Sequence, residues 1–427
     1  MWKKLLITGC VTFSLLSGGT LSAQPSCEIK EEVTSEQLDR TQKELVAMMK
    51  ELKNDSYFQT ELDKAAVQSS LSKRMAAYKD LTVRLLSVLE IQAELEWMKP
   101  EAIQEALGIM KKSSGFDAVL ADKRFGELKS LLAGGFDGIY TGDAQAIDKA
   151  NKTLTLKRKL MLMSPDVNVD KMLTVKFDLG ERANFVGAGS LGIQPNNWSN
   201  LSSASRKNFK AQLVELSGLQ SGELSEKVLY KPAVDGSSVT DLVLNWDGKR
   251  LMFTALDTTR RWQVHELDIN NGEAKQVTNI PEPDLEFFDG TYLPDGRMLA
   301  ISNIGYQGVP CVNGSDAVGN MVLYDPSNGY LRRLTFDQDA NWHPVVMANG
   351  KVMYVRWEYT DLTHYFSRIV MHMNPDGTEQ KSLYGSGSMF PNSIFDVQPL
   401  PKHTNRFVGV ISGHHGVARS GRLMIFD

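Results

Sequence analysis

Strand-and-turn units recur in the C-terminal part of this 427-residue chain, and a long segment without Gly or Pro precedes them. Gly222, Gly272, Gly329 and Gly377 each close such a unit and lie 50, 57 and 48 residues apart. Self-similarity near ~50 residues, with about four short strands per unit, is typical of a β-propeller. We therefore predict an α+β multidomain protein, in which an N-terminal helical bundle is followed by a mainly antiparallel β-propeller with about five visible blades.

The stretch Leu331–Gly377 shows the repeat in one blade-sized piece. Its apolar runs "RRLT", "WHPVVM", "KVMYVRW" and "RIVMHM" are separated by turns, and Asn349-Gly350 between two of them is a strong hairpin signal. The last run, "GRLMIFD", matches Asn320–Asp325, so we expect a propeller that is incomplete at the C-terminus. Because an open ring leaves unpaired sheet edges, we expect a protein partner or an additional chain segment to close it.

Residues 26–99 contain no Gly and no Pro, which over such a length indicates helix. Thr34 and Gln37 have the spacing of a capping box, in which each side chain accepts a hydrogen bond from the other's backbone N–H. We predict a break at Asn54-Asp55-Ser56 and a later helix that begins at Pro100. The apolar stripes of these helices indicate the internal seam of a bundle, with a cofactor or partner groove as the alternative.

These patterns predict four successive segments of the chain. Residues 1–23 have the charged start, apolar run and small-residue cleavage site of a secretory signal peptide. We expect a helical domain over residues 28–148, a linker helix over residues 149–165 and the truncated propeller over residues 166–427. The protein is therefore expected in the periplasm or otherwise exported. One alternative is a leader that is not cleaved, through which alone we would expect contact with a membrane. The other alternative is a lipoprotein anchored at Cys10.

Composition and the absence of certain motifs limit the classes of partner and cofactor that we expect for this protein. The net charge of -4 and the absence of a basic stripe argue against nucleic acid as a partner. The chain has no C-x-x-C-H motif for a c-type haem, and we expect no cofactor, although a metal ion stays open. After cleavage Cys27 and Cys311 remain; export permits a disulfide between them, and two unrelated thiols are the alternative.

Six of the seven histidines lie between His343 and His415, and imidazole is a common transition-metal ligand. Asp361 and His364 follow a strand, and His414 and His415 stand between glycines on an expected loop. A metal site built from Asp361, His364 and His414 is one hypothesis, although the spacing matches no established zinc pattern. Loop histidines that bond to backbone groups are the alternative.

Further ligand-binding candidates surround Trp357. Trp342 and its aromatic neighbours could stack a sugar or another flat ligand, while packing between blades is the alternative. Arg356 and Glu358 flank Trp357 on the opposite strand face, where we favour an ion pair between blades. His343 opens the strand "WHPVVM" and is kept as a candidate too.

Several blocks carry a resemblance to known families. "LNWDGKRLMF" and "YLPDGRMLAIS" resemble the TolB-type propeller repeat, in which His or a similar polar residue at the position of His343 often faces the central channel. "VRWEYTDLTHYFSRIVMHMNPDGT" (355–378) and "ISGHHGVARSGRLMIFD" (411–427), with residues 156–176, 334–346 and 391–401, resemble proteins related to the middle propeller domain of the hydrazine synthase α subunit.

The resemblance implies an exported protein whose propeller holds other domains. In true hydrazine synthase the catalytic haems lie outside the propeller, and this chain lacks the motif that would attach them. It also lacks the family's second cysteine shortly after Cys311. We therefore expect an exported binding or scaffold protein without hydrazine synthase activity of its own. The alternatives are a periplasmic metal-dependent hydrolase or lyase that uses the His/Asp loop cluster, and a truncated product without independent function.

Overall fold

The protein is described by a computed structural model, which covers residues 33–167, 169–178, 210–220, 224–309, 314, 316–359, 366–386, 393–401, 403–412 and 421–427. Within these residues, six α-helices precede the strands: α1 Ser35–Met49, α2 Ser56–Ala66, α3 Leu71–Glu96, α4 Pro100–Met110, α5 Ala118–Ala133 and α6 Ala144–Met161. Short 3-10 turns cover Asp137–Thr141 and Pro165–Val167. The predicted signal peptide lies outside the described residues.

Local signals in the sequence set most helix starts. Thr34 Oγ1 accepts the Gln37 N–H at 3.2 Å and Gln37 Oε1 accepts the Thr34 N–H at 2.9 Å, so the predicted capping box is confirmed. Pro100 is the first residue of α4. Helix α2 was not predicted: Asn54 Oδ1 accepts the Ser56 N–H at 3.1 Å, and the chain re-enters a helix at once instead of forming only a break.

Removing the capping hydroxyl is expected to destabilise the helical part. In Thr34→Ala, the Gln37 N–H at the start of α1 loses its acceptor, so we expect about 1 kcal/mol less unfolding free energy. Urea denaturation followed by far-UV circular dichroism measures this. The control is Thr141→Ala, since Thr141 Oγ1 donates only to a carbonyl within a 3-10 turn. Equal losses in the two variants would contradict the capping role.

The helices enclose two apolar cores. Leu45, Phe58 and Leu85, from α1, α2 and α3, are each at most 1% exposed in the first core. The second core joins α4 and α5 to the end of α6, which also contributes Ala150 to the first core and Leu160 to the second. The apolar stripes therefore face the interior of a bundle, and α6 runs along both cores.

Eighteen strands follow in the described residues: β1 Lys171–Asp178, β2 Lys210–Ser217, β3 Ser225–Tyr230, β4 Val239–Leu244, β5 Arg250–Leu256, β6 Trp262–Asp268, β7 Ala274–Gln276, β8 Phe287–Tyr292, β9 Met298–Ser302, β10 Asn320–Asp325, β11 Tyr330–Arg333, β12 Asn341–Val346, β13 Val352–Tyr359, β14 Phe366–Met373, β15 Lys381–Tyr384, β16 Ser393–Pro399, β17 Phe407–Ser412 and β18 Arg422–Phe426. They form five successive groups, which we call sheet 1 (β1–β3), sheet 2 (β4–β7), sheet 3 (β8–β11), sheet 4 (β12–β15) and sheet 5 (β16–β18). Sheets 4 and 5 are linked by one parallel pair, Arg368 with Ser393.

The sheets stack as the blades of a propeller. Each of sheets 2 to 4 is an antiparallel meander of four strands. Strand β8 packs on β4, β5 and β6, strand β12 on β8, β9 and β10, and strand β16 on β12, β13 and β14. The first strand of one sheet thus lies against the face of the sheet before it. The predicted fold class, a helical bundle followed by antiparallel blades, is confirmed.

The blade boundary differs from the repeat read in the sequence. The stretch Leu331–Gly377 holds four strands, but its first, β11, pairs with β10 and so completes sheet 3. The tight turns are where the spacing placed them: Gly272, Gly329 and Gly377 have φ of 76°, 74° and 86°. Gly350, in the Asn349-Gly350 hairpin, has φ of 79°, a conformation that glycine adopts without steric cost.

The chain divides near Met172 into two compact units, with residues 215–226 grouped with the first. We call the part that contains α1–α6 the helical unit and the part that contains sheets 2–5 the strand unit. None of the helices in the described ranges has the length and apolar composition needed to cross a bilayer.

Candidate functional site

The first strand of each of sheets 2 to 5 carries the same irregularity. A bulge interrupts the pairing of β4, β8, β12 and β16 with the next strand. At the bulge stand Asp241, Asp289, His343 and Asp396, with φ of 54°, 52°, 56° and 49°. Such left-handed backbone is costly for most side chains, and Asp and His are among the non-glycine residues that tolerate it best. These four residues are called the inner-strand cluster.

Hydrogen bonds link the cluster from sheet to sheet. The Asp289 N–H donates to Asp241 Oδ2 at 3.1 Å, and the His343 N–H donates in the same way to Asp289 Oδ2. Gln398, in sheet 5, lies with its Nε2 3.1 Å from His343 Nε2. Because the carboxylates of Asp241 and Asp289 each accept from the backbone of the next sheet, the cluster fastens neighbouring blades at their first strands.

The members of the cluster differ in exposure: the side chains of Asp289 and His343 are 14% and 26% exposed, whereas Asp396 is exposed. Burial, reinforced by the charge of Asp289, raises the pKa of Asp241 to about 7. Burial alone would lower the pKa of His343, but the nearby carboxylate of Asp289, together with the charges of Asp396 and Asp241, outweighs it and raises this pKa to about 9. His343 Nδ1 lies 3.7 Å from Asp289 Oδ1. At neutral pH an imidazolium therefore stands beside the Asp289 carboxylate. The Gln398 amide then faces it with its oxygen, because two N–H donors cannot bond to each other. The cluster is thus a proton-binding contact between blades.

One of the four members was expected and three were missed. His343 entered through the TolB-type resemblance. Asp241, Asp289 and His343 each stand seven residues before a hairpin glycine, Gly248, Gly296 and Gly350 respectively. Aligning the repeats on these glycines would have put both aspartates in the position of His343.

The other predicted residues of this region serve packing and ion pairing. Trp342 is 7% exposed, with its ring centroid 6.5 Å from that of Trp357. Arg356 forms an ion pair with Glu358 in the same strand, and its Nη1 lies 3.4 Å from Asp337 Oδ1. The ion pair favoured from the sequence thus lies within β13, and Asp337 adds to it from the segment that joins sheet 3 to sheet 4.

Arg368 is a functional candidate that sequence reasoning did not single out. It opens the buried part of β14, is 3% exposed, and its guanidinium lies 3.8 Å from the ring centroid of Trp342 and 4.6 Å from that of Phe395. Trp342 belongs to sheet 4 and Phe395 to sheet 5. The cation therefore stacks between aromatic rings of two blades.

The predicted metal ligands Asp361, His364 and His414 lie outside the described residues, as do His415 and the cysteines Cys27 and Cys311. Their metal site and disulfide, and the hydrolase or lyase alternative that depends on the former, stay predictions. Within the described ranges, no group of three or more His, Cys, Asp or Glu side chains is placed to hold a metal ion.

No protein-family model and no curated protein matches the sequence. Solved structures show partial similarity. Hydrazine synthase from Kuenenia stuttgartiensis is 13% identical over 61% of this chain and 37% of its own, with a TM-score of 0.44. TolB from Acinetobacter baumannii is 19% identical over 50% of each chain, with a TM-score of 0.32. An oligogalacturonate lyase from Vibrio parahaemolyticus is 12% identical over 58% of this chain and 69% of its own, with a TM-score of 0.31. This chain thus spans little more than a third of the hydrazine synthase chain. The assignment of the sheets as propeller blades depends on their strand order and packing, not on these similarities.

Proposed function

We propose that this protein is an exported β-propeller scaffold that binds a protein partner through its last sheet. In this proposal it resembles the middle domain of the hydrazine synthase α subunit and has no hydrazine synthase activity of its own. Export is inferred from the leader, and the resemblance from the sequence blocks quoted above. The observation that carries the binding role is the exposure of β18.

Within the described residues, strand β18 has one unpaired edge and exposed apolar side chains. It pairs with β17 on one side, and no described residue pairs with its other edge. Leu423 and Ile425 are 72% and 65% exposed. In the repeat they correspond to Met321 and Leu323 of β10, which are 0% and 2% exposed. In sheet 3 these two side chains pack in a core shared with sheet 4, and among the described residues no further sheet covers the corresponding face of β18.

The equivalent strands of sheets 2 to 4 show which element lies beside a strand in the position of β18. Strands β6, β10 and β14 each pair on their outer side with a fourth strand, β7, β11 or β15. An extended segment that adds to a sheet edge gains backbone hydrogen bonds, and the apolar side chains supply specificity. An exposed edge of this kind otherwise promotes aggregation. We infer that the occupant is an extended strand, supplied by a protein partner or by an additional chain segment.

Photo-crosslinking at β18 tests this proposal. A benzoyl-phenylalanine in place of Ile425, in the full chain expressed in its native host, is expected to give one discrete adduct whose second component is another protein. The matched control carries the same group in place of Tyr330, an exposed residue on the outer strand of sheet 3.

The products separate the possible occupants. An adduct between two copies of this chain, or a crosslink within one chain, would replace the partner by self-association or by an additional chain segment. Uncrosslinked protein at Ile425, or the same adduct from Tyr330, would overturn binding at β18. Intact mass spectrometry distinguishes all these outcomes.

A further inference from the structure

Asp396 is the member of the inner-strand cluster whose carboxylate receives no hydrogen bond from a described residue. Asp241 and Asp289 each accept the N–H of the bulge residue in the next sheet. Asp396 stands at the same bulge of β16, with φ of 49°, and its side chain is exposed. Sheet 5 therefore presents an acceptor in the position that joins one blade to the next.

Apolar side chains cover the neighbouring surface of sheet 5. Val408 pairs with Ile425 and Val410 with Leu423, and residues that pair across an antiparallel ladder lie on the same face. Leu423 and Ile425 are 72% and 65% exposed, and the two valines are half-buried. These four residues form one apolar surface on β17 and β18, which we call the sheet 5 face.

The equivalent face of sheet 3 is covered by sheet 4. It consists of two pairs, Leu299 with Leu323 and Ile301 with Met321. All four side chains are at most 2% exposed, in an apolar core that also contains residues of sheet 4. The first strand of sheet 4, β12, lies against β8, β9 and β10 and donates the His343 N–H to Asp289. One strand of the next sheet thus meets both the face and the carboxylate.

We propose that the sheet 5 face binds an antiparallel sheet of a protein partner, whose first strand donates a backbone N–H to Asp396. The donor is expected to be a residue that tolerates left-handed backbone, Asp, Asn, His or Gly. All four members of the inner-strand cluster have such backbone, with φ between 49° and 56°. The inference rests on the proposed function, and adds to the strand beside β18 a second element that covers the face.

A second copy of this chain does not offer the required strand among its described residues. Strands β8, β12 and β16 already lie against the sheet before them. Val239 of β4 is 0% exposed, in a core that it shares with Leu213 and Leu229 of sheet 1. Because each described first strand is covered within its own chain, the inference assigns the occupant to a different protein.

Photo-crosslinking from Val410 tests whether a sheet covers the face. Val410 lies on β17, one strand further from the unpaired edge than β18. With benzoyl-phenylalanine in its place, in the full chain from the native host, we expect an adduct with the same protein that crosslinks at Ile425. Tandem mass spectrometry of the digest should place both links in that protein. The control carries the group in place of Thr404, an exposed residue between β16 and β17.

Variants of Asp396 test the hydrogen bond. Asp396→Gly retains a residue that adopts left-handed backbone but removes the acceptor, so the adduct yield at Val410 should fall about ten-fold. Asp396→Asn keeps a side-chain oxygen that accepts a hydrogen bond and should recover most of this yield. Asn405→Gly, in an exposed turn of the same sheet, is the control and should leave the yield unchanged.

The outcomes separate this inference from the proposed function. An adduct at Ile425 without one at Val410, or an unchanged yield in Asp396→Gly, would overturn the inference and leave the pairing of a partner strand with β18 intact. The absence of adducts at both positions would overturn both proposals. A link within one chain or between two copies would overturn the assignment to a different protein. Unfolding curves confirm that each variant is folded.

Discussion

Replacing Arg368 by alanine is expected to lower the unfolding free energy of the strand unit by about 3 kcal/mol. The guanidinium lies 3.8 Å from the centroid of Trp342 and 4.6 Å from that of Phe395, so its removal ends two cation–π contacts and leaves a cavity between sheets 4 and 5. Urea denaturation followed by tryptophan fluorescence measures the loss, since Trp342 is one of the seven tryptophans that contribute to the signal.

Two further variants make the Arg368 experiment specific. Arg368→Lys retains the charge but not the planar group that stacks on rings, so we expect it to recover less than half of the loss. Arg297→Ala is the control, because this arginine pairs with Asp295 at an exposed turn, where an ion pair contributes about 0–1 kcal/mol. Equal effects of Arg368→Ala and Arg297→Ala would mean that Arg368 does not join the two sheets.

The strand unit is expected to lose stability as the pH rises from about 6.5 to about 9. The pKa of His343 rises on folding from 6.5 to about 9, so the folded state holds this proton more tightly. The contribution of the His343 proton to the unfolding free energy is fully present below pH 6.5 and is lost as the pH passes through 9. Its size is at most about 3 kcal/mol. Denaturation curves across this pH range measure the loss.

Variants of the inner-strand cluster separate its two titrating groups. His343→Gln should remove the loss between pH 6.5 and 9. On folding, the pKa of Asp241 rises from 3.8 to about 7, so its contribution to stability is also lost as the pH rises, but between about pH 3.8 and 7. Asp241→Asn should remove the pH dependence of stability in this lower range. Asp289→Asn retains a residue that tolerates left-handed φ and should lower the pKa of His343, measured by NMR. His403→Gln, an exposed histidine outside the cluster, is the control. An unchanged pH profile in His343→Gln would refute the assignment.

Much of the strand order could be predicted because its signals are local. Asn349-Gly350 and the glycines at 272, 329 and 377 mark turns by their own conformational freedom, and alternation of apolar residues marks the strands between them. The blade limits could not be read in this way. Strand β11 follows β10 through a turn like any other, and only its hydrogen bonds to β10 show that it ends sheet 3 instead of opening sheet 4.

The candidate sites were less predictable. His343 was noticed because histidine is rare and the repeat resembles a known one, whereas Asp241 and Asp289 look like ordinary polar residues of a strand. Their importance comes from a bulge that turns each carboxylate toward the backbone of the next blade, about 50 residues away along the chain. Arg368 likewise reads as one charged residue at a strand start.

The sequence by itself determined the helical segment, the capping box at Thr34, the period of the strands and their turns, because each of these depends on residues within a few positions of one another. The tertiary structure alone decided which residues meet: the inner-strand cluster, the Arg368 stack and the exposed face of β18. These contacts join residues that are far apart in the chain. They arise from the stacking of one sheet on the next, which a repeat pattern predicts as an architecture but not as a set of neighbouring side chains.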